Sequence, residues 1–189
     1  YARRVLAFMD AKGIYRAVLA GCSMGGAIAL EAALQAPDRV QGLGVIAAGA
    51  RFKLDATLVD DLSSNESMNS ALERLKGSIF GPGASRALVA HSMRLLRERR
   101  PGVLYGDWQA CAAFDIHHRL KEITHPVWIA AGEDDRLVPP AAARYLAAHL
   151  PNARLQLFSG AGHMLVLEKP DEVRRGLLDF LDSLIKQPD

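Results

Sequence analysis

Residues 17–26 read Ala-Val-Leu-Ala-Gly-Cys-Ser-Met-Gly-Gly, and this stretch decides the fold of the chain. The apolar run ends in Gly-x-Ser-x-Gly and passes into an alanine-rich segment, which predicts a buried strand over 17–22, a sharp turn, and a helix from Met24 to Gln35. A serine at the apex of such a turn has a strained backbone, and its hydroxyl stands clear of the sheet. We expect glycine at 21 and 25 because a Cβ at either position would collide where strand and helix nearly touch.

Two other interpretations of this pattern exist. An ordinary turn between a strand and a helix can carry the same glycines and serine. A phosphate-binding loop is disfavoured because no Gly-Lys-Ser/Thr follows. The role of Ser23 therefore depends on which other functional residues the chain contains.

Composition limits the class of protein. The chain has 189 residues, half of them hydrophobic, with 23 Lys and Arg against 21 Asp and Glu, which predicts one globular unit with a real core. A formal charge of +2 gives no argument for a nucleic-acid or membrane partner. The two cysteines, Cys22 and Cys111, form no disulfide framework and predict reduced thiols in the cytoplasm. We predict no cofactor and no bound metal.

The beginning of the sequence has the pattern of the middle of a domain. Residue 1 is Tyr rather than Met, and a helix is predicted from Ala2 to Ala11, ending before Gly13. We therefore expect an N-terminally truncated chain, in which the absence of a signal peptide cannot be read.

Further along, strands alternate with helices, which predicts a parallel sheet. Apolar runs predict three more strands, at Val40–Ala48, Pro126–Ala131 and Ala153–Phe158. Helices are expected at Pro139–Leu150 and Glu168–Ile185, the second with these residues facing inward: Val173, Leu177, Leu178, Leu181 and Leu184.

The segment from about residue 50 to 123 differs, because it contains no clear strand. It is too long for a loop between two strands, and its helix-length stretches are Leu54–Leu62, Met68–Phe80, Ser85–Arg99 and Asp107–Ala113. We predict an inserted helical cap, and hence three parts: a core part at 1–49 carrying the sharp turn, a cap or lid at 50–123, and a second core part at 124–189.

An acid and a base follow the third and fourth strands. The turn Gly132-Glu133-Asp134-Asp135 and the loop Gly160-Ala161-Gly162-His163 both lie at the carboxyl ends of strands, where Ser23 also lies. A serine hydroxyl needs an imidazole to take its proton, and the imidazole needs a carboxylate to fix its tautomer. Each carboxylate of the turn could instead be a solvated group at a helix N-terminus, an interpretation that fits Glu133 and Asp134. The remaining histidines are assigned no chemistry: His91, His117, His118, His125 and His149.

These motifs together resemble the α/β-hydrolase family, and the resemblance covers essentially the whole chain. It rests on three signatures in order: Gly21-Cys22-Ser23-Met24-Gly25-Gly26, Gly132-x-x-Asp135 with Pro139, and Gly160-x-Gly162-His163 with Glu168-x-Pro170. The resemblance implies Ser23 as nucleophile, Asp135 as triad acid and His163 as base, with the Met24 N–H in the oxyanion hole.

The sequence departs from this family in two places. The first is Cys22, which stands where relatives more often have His. The serine beside it argues against the haloalkane dehalogenase and epoxide hydrolase branches, which attack through an aspartate. The second departure is at the beginning of the chain. The family's sheet has eight strands, of which the last four have counterparts here. The resemblance implies that the missing part carries the loop that donates the second oxyanion N–H.

The sequence therefore predicts a serine hydrolase for a small carboxylic ester, thioester or lactone, with a small acyl compound as its partner. Phe80, Trp108 and Phe114 of the cap predict an apolar acyl pocket. Related alternatives are a carbon–carbon bond hydrolase, an acyltransferase and a cofactor-free haloperoxidase. The alternative from another class is a non-catalytic fragment or binding protein that retains the fold.

Overall fold

The computed structural model describes residues 1–186. Its centre is a sheet of four parallel strands in chain order. The strands are β1 (Ala17–Cys22), β2 (Val40–Ile46), β3 (Val127–Gly132) and β4 (Ala153–Phe158). The predicted α/β class with a parallel sheet of about four strands is confirmed.

Helices cover both faces of this sheet. Before the cap lie α1 (Ala2–Ala11) and α2 (Met24–Gln35). Alternate residues of β3 separate the two faces: Ile129 belongs to the core beneath α2, whereas Trp128 belongs to the core on the opposite face. Side chains alternate between the two faces in this way because a strand is pleated. Because both of its faces are covered, β3 is apolar and buried along its whole length, as parallel strands usually are.

Between β2 and β3 lie four α-helices, for which we keep the name cap, and a short 3-10 helix over His117–Glu122. The four are α3 (Ala56–Asp61), α4 (Asn65–Ile79), α5 (Arg86–Arg97) and α6 (Pro101–Ala112). Three of them begin after a side chain that accepts backbone N–H groups at the helix N-terminus, namely Asp55, Ser64 and Ser85. The cap has an apolar cluster of its own, built around these residues: Leu62, Met68, Ala71, Leu72, Leu75, Ile79, Met93 and Leu104.

The last predicted cap helix, Asp107–Ala113, begins six residues too late. The helix begins at Pro101, although a proline also commonly marks the end of a helix. Proline is well tolerated at the first helical position, because its missing N–H would have no intrahelical acceptor there.

After the cap come α7 (Pro140–His149), α8 (Leu165–Glu168) and α9 (Pro170–Ile185). The closing helix predicted over Glu168–Ile185 is present but begins two residues later, at Pro170, because Lys169 (φ −134°, ψ 52°) is not helical, as is common for a residue before proline. The inward face of α9 was also misplaced at one position. Leu178 is 45% exposed, whereas Phe180 is buried.

The second strand ends two residues before the predicted Ala48. Ala47 adopts φ +49°, which takes the chain out of extended conformation. Among the described residues, no helix is long and apolar enough to cross a membrane.

Candidate active site

Ser23 occupies the apex of the turn between β1 and α2. Its backbone has φ 54° and ψ −119°, a conformation that costs a non-glycine residue energy and persists only where neighbours impose it. The Ser23 N–H donates to the Ile46 carbonyl at 2.7 Å, which fixes the turn to the neighbouring strand. The predicted strained turn is therefore present.

Two glycines allow this turn: Gly21, as the sequence predicted, and Gly26 in place of the predicted Gly25. A Cβ on Gly21 would lie 2.2 Å from the carbonyl carbon of Gly25, and a Cβ on Gly26 would lie 2.9 Å from the Ala48 Cβ. A Cβ on Gly25 would meet no atom within 4 Å. The expectation that Gly25 must lack a Cβ is wrong. The backbone of Gly25 lies against Gly21 and leaves no space for a Cβ there, whereas the position that a Gly25 Cβ would occupy is open.

A chain of two hydrogen bonds joins Ser23 to a carboxylate. His163 Nε2 lies 2.8 Å from Ser23 Oγ, and His163 Nδ1 lies 2.8 Å from Asp135 Oδ2. Since a carboxylate accepts, Nδ1 carries the proton and Nε2 accepts from the serine hydroxyl. His163 and Asp135 are 5% and 3% exposed, so solvent weakens neither contact.

Asp135 is the carboxylate of the acidic turn that contacts the histidine. Its second oxygen, Oδ1, accepts the backbone N–H groups of Leu137 at 2.9 Å and Val138 at 2.8 Å. These bonds orient the side chain. Glu133 is exposed and Asp134 is half-buried, as expected for a turn in which one carboxylate faces inward.

The loop that carries His163 lies directly against the acid turn. The Asp134 N–H donates to the Ala161 carbonyl at 2.9 Å, and a Cβ on Gly132 would lie 2.2 Å from that same carbonyl oxygen. Two loops from different strands therefore meet backbone to backbone, which sets the separation of Asp135 from His163.

Glu168 contacts the same loop, and this contact was not foreseen. Its Oε1 accepts the Gly162 N–H at 3.1 Å and its Oε2 accepts the Gly81 N–H of the cap at 2.8 Å. The motif Glu168-x-Pro170 was visible in the sequence, but no local pattern connects it with residue 81.

A cavity of about 230 Å³ opens at Ser23 and His163. Its walls come from both the core and the cap, and they are mainly apolar: Met24, Phe52, Leu54, Leu62, Leu72, Leu75, Ile79, Leu96, Leu104, Trp108, Leu137 and Met164. Asp107 and Cys111 also line it. Trp108 takes its expected place, whereas Phe80 and Phe114 lie outside the lining; Phe114 packs against Phe52, with ring centroids 6.0 Å apart.

Two cysteines lie near the site, and both are free. Burial, followed by the charge of Asp135, raises the pKa of the Cys22 thiol to about 11. Burial and the charge of Asp107 likewise raise the pKa of Cys111 to about 11. A thiol attacks as the thiolate, so both cysteines are protonated and weakly nucleophilic near neutral pH.

The other histidines lie away from this relay. His125 is buried and its Nε2 lies 2.9 Å from the Pro37 carbonyl. His117 contacts Asp115, and His149 contacts the Tyr145 carbonyl. Within residues 1–186, no three His, Cys, Asp or Glu side chains are grouped so that they could hold a metal ion.

Comparison with known proteins relates this arrangement to one family. A family model described as the alpha/beta hydrolase fold matches residues 1–170. RutD of Caulobacter segnis, assigned as a carbamate hydrolase, is 30% identical over 191 residues, which cover 96% of this chain and 72% of RutD. The 2-hydroxy-6-oxo-6-phenylhexa-2,4-dienoate hydrolase of Burkholderia cepacia is 31% identical over 193 residues, covering 95% and 68% of the two chains.

A solved structure of a thermophilic esterase is similar in fold and sequence. It superposes with a TM-score of 0.85 at 27% identity, over 97% of this chain and 72% of the esterase. The relatives are hydrolases that act on different bonds, so the comparisons define the family and the general class of reaction but not the substrate.

Proposed function

This chain belongs to the α/β-hydrolase fold family, and we propose that it is a serine hydrolase that cleaves a small carboxylic ester, thioester or lactone. Ser23 is the nucleophile, His163 the general base and acid, and Asp135 the group that orients and stabilises the imidazole. The reaction passes through an acyl-enzyme on Ser23. It calls for no cofactor from outside the chain.

One observation carries this proposal: the two 2.8 Å contacts that join Ser23 Oγ, His163 and Asp135 at the mouth of an apolar cavity. A nucleophile in hydrogen-bond reach of a base that is itself oriented by a third group is the geometry that activates a hydroxyl. The burial of His163 and Asp135 strengthens both bonds, because little water screens them.

In the acylation step, His163 Nε2 takes the proton of Ser23 as Oγ attacks the substrate carbonyl. The imidazolium that forms is stabilised by Asp135 through Nδ1–H. It then gives the proton to the leaving alcohol or thiol, and the carbonyl–oxygen or carbonyl–sulfur bond breaks. Water repeats the cycle on the acyl-enzyme and releases the acid.

The oxyanion of each tetrahedral intermediate needs backbone donors. Met24 is the first residue of α2, and the first N–H groups of a helix have no intrahelical acceptor. We assign the Met24 N–H to the oxyanion hole, where the helix dipole adds to the stabilisation of negative charge.

The cavity walls favour a neutral, apolar acyl group. Leu72, Leu75 and Trp108 line the space beyond the nucleophile, and burying an acyl chain there contributes about 0.8 kcal/mol per methylene. Asp107 lines the same space and disfavours an anionic tail by charge repulsion. A neutral butyrate ester is therefore expected to be a better substrate than a half-ester of succinate.

A second candidate is hydrolysis of a carbon–carbon bond, favoured by the similarity to the Burkholderia cepacia dienoate hydrolase. Its substrate carries a carboxylate, which Asp107 opposes. A panel of a neutral ester, a carbamate and a dienoate, compared by kcat/KM, separates these activities. We expect the neutral ester to lead.

The proposal is tested with a fluorophosphonate probe, which forms a covalent adduct with an activated serine. The wild-type chain is expected to be labelled at Ser23, Ser23→Ala is expected to lose labelling, and Ser63→Ala, which changes an exposed serine of the cap, is expected to keep it. Equal labelling of the Ser23→Ala variant overturns the assignment. No labelling of the wild type favours a non-catalytic protein that retains the fold.

A further inference from the structure

Glu168 bridges two segments that are far apart in sequence. It is the last residue of α8, and each of its carboxylate oxygens accepts one backbone N–H, from Gly81 at 2.8 Å and from Gly162 at 3.1 Å. Gly81 and Gly162 are both buried. Without Glu168 these two donors would face the interior unpaired, which is unfavourable for any buried N–H group.

The two bridged segments approach as closely as backbones can. A Cβ on Gly81 would lie 2.6 Å from the Gly162 nitrogen, and a Cβ on Gly162 would lie 2.4 Å from the Gly81 nitrogen. The absence of both side chains lets one carboxylate hold both N–H groups. The cap turn that follows α4 is thus attached to the loop that precedes His163.

His163 is held to the cap on both sides. On one side, Gly162 is joined to Gly81 through Glu168; on the other, the Met164 N–H donates to the Ile79 carbonyl at 2.9 Å. Ile79 is the last residue of α4. The position of the imidazole therefore depends on the position of the C-terminal end of α4.

The same helix forms part of the cavity wall, through Leu72, Leu75 and Ile79. A substrate that fills the cavity contacts α4 at the end to which the His163 loop is attached. Contact between an acyl chain and α4 can therefore steady the imidazole during the reaction, and binding energy used in this way raises kcat rather than only lowering KM.

We propose that Glu168 is a positioning residue for the hydrolysis proposed above: it couples the cap to His163, so that occupation of the cavity sets the catalytic geometry. This inference rests on the proposed function. Glu168 contacts neither Ser23 nor the reacting atoms and acts through the Gly162 peptide.

The test compares Glu168→Gln with Glu172→Gln in the full chain. An amide offers one acceptor and one donor, so in Glu168→Gln one of the two N–H groups faces another donor. Glu172 is exposed in the first turn of α9, where it lies 3.6 Å from Lys169, and the same change there removes neither bond. Rates are measured with acetate and butyrate esters of one phenol and with a fluorophosphonate.

For Glu168→Gln, we expect kcat for the butyrate ester and the rate of fluorophosphonate labelling to fall between about 10- and 100-fold, the cost of a misplaced catalytic group. KM is expected to change by less than about threefold, because a transition-state interaction is lost and not ground-state binding. The kcat advantage of butyrate over acetate is expected to shrink. Glu172→Gln is expected to match the wild type.

A second pair keeps the test independent of whether Glu168→Gln folds. Gly81→Ala forces a methyl group against the Gly162 nitrogen, whereas Gly77→Ala, in α4, meets no atom within 4 Å. Gly81→Ala is expected to show the same loss of kcat, with Gly77→Ala unaffected.

Two results overturn the coupling. In one, Glu168→Gln keeps the wild-type kcat and labelling rate, even if its melting temperature falls. In the other, Glu168→Gln does not fold and Gly81→Ala keeps the wild-type kcat. Both results require that the wild-type chain hydrolyses the ester, so neither contradicts the proposed function. An inactive wild type contradicts the proposed function rather than the coupling.

Discussion

At the scale of single residues, the site depends on which of two adjacent aspartates faces inward. Asp135 bonds to His163 and to two backbone N–H groups, whereas the Asp134 side chain is half-buried. Asp135→Asn is expected to lower kcat/KM on the order of ten-thousandfold, because the amide favours the wrong imidazole tautomer. Asp134→Asn is expected to stay within about threefold of the wild type, since it removes no catalytic contact.

Ester-hydrolysis kinetics of the two variants check this assignment. A disabled Asp134→Asn enzyme beside a normal Asp135→Asn enzyme would place the acid one residue earlier than we do.

Cys22 gives the folded chain a dependence on alkaline pH. Burial and the charge of Asp135 raise the pKa of its thiol from 9.0 to about 11. The pKa of the thiol is higher in the folded chain than in the unfolded chain, so the unfolded chain ionises first as pH rises. The stability associated with the protonated thiol is therefore fully present below pH 9 and is lost as pH rises towards 11. The loss is up to about 2 kcal/mol, allowing for partial exposure of the group.

Urea unfolding at pH 7.5 and 10.5 measures this effect in the wild type and in Cys22→Ala. The free energy of unfolding is expected to fall further in the wild type. Cys111 ionises in both proteins, so its effect cancels when their free energies of unfolding are compared. An equal fall of this free energy in the wild type and in Cys22→Ala would show that Cys22 is not responsible.

At the scale of elements, the turn between β1 and α2 makes different demands on its glycines. Gly21→Ala places a methyl group 2.2 Å from a backbone carbon, whereas Gly25→Ala meets open space. We expect Gly21→Ala to destabilise the fold by about 1–3 kcal/mol or more and to abolish labelling of Ser23. Gly25→Ala is expected to raise helix stability by up to about 1 kcal/mol.

Thermal unfolding together with fluorophosphonate labelling of both variants provides the measurement. If Gly25→Ala were the destabilised protein, the packing of α2 against β1 described here would be incorrect.

The sequence predicted some elements to the residue and misjudged others for identifiable reasons. α1, α2, β1 and β4 have the predicted bounds, because short turns with glycine or proline limit them. The beginning of α6 was missed because Pro101 can either end a helix or begin one. The start of the closing helix was placed two residues early because Pro170 can itself be the first residue of a helix.

At the scale of the whole molecule, the meeting of Ser23, Asp135 and His163 follows from topology. Each residue lies after a different parallel strand, and the carboxyl ends of such strands share one edge of the sheet. The bond between Glu168 and Gly81 could not be predicted in this way. It spans 87 residues and depends on where the cap lies over the His163 loop, which is set by packing and not by any local pattern.

The central claim is that this molecule turns over an ester through an acyl group on Ser23, and trapping that intermediate tests it most directly. The chain is mixed with p-nitrophenyl butyrate, quenched in acid within the first turnovers, digested, and examined by mass spectrometry. The account predicts a butyryl group on Ser23 in the peptide that also contains Cys22, with no adduct in Ser23→Ala. Turnover accompanied by an acyl group on Cys22, or by no adduct on Ser23 while Ser23→Ala stays active, would contradict it.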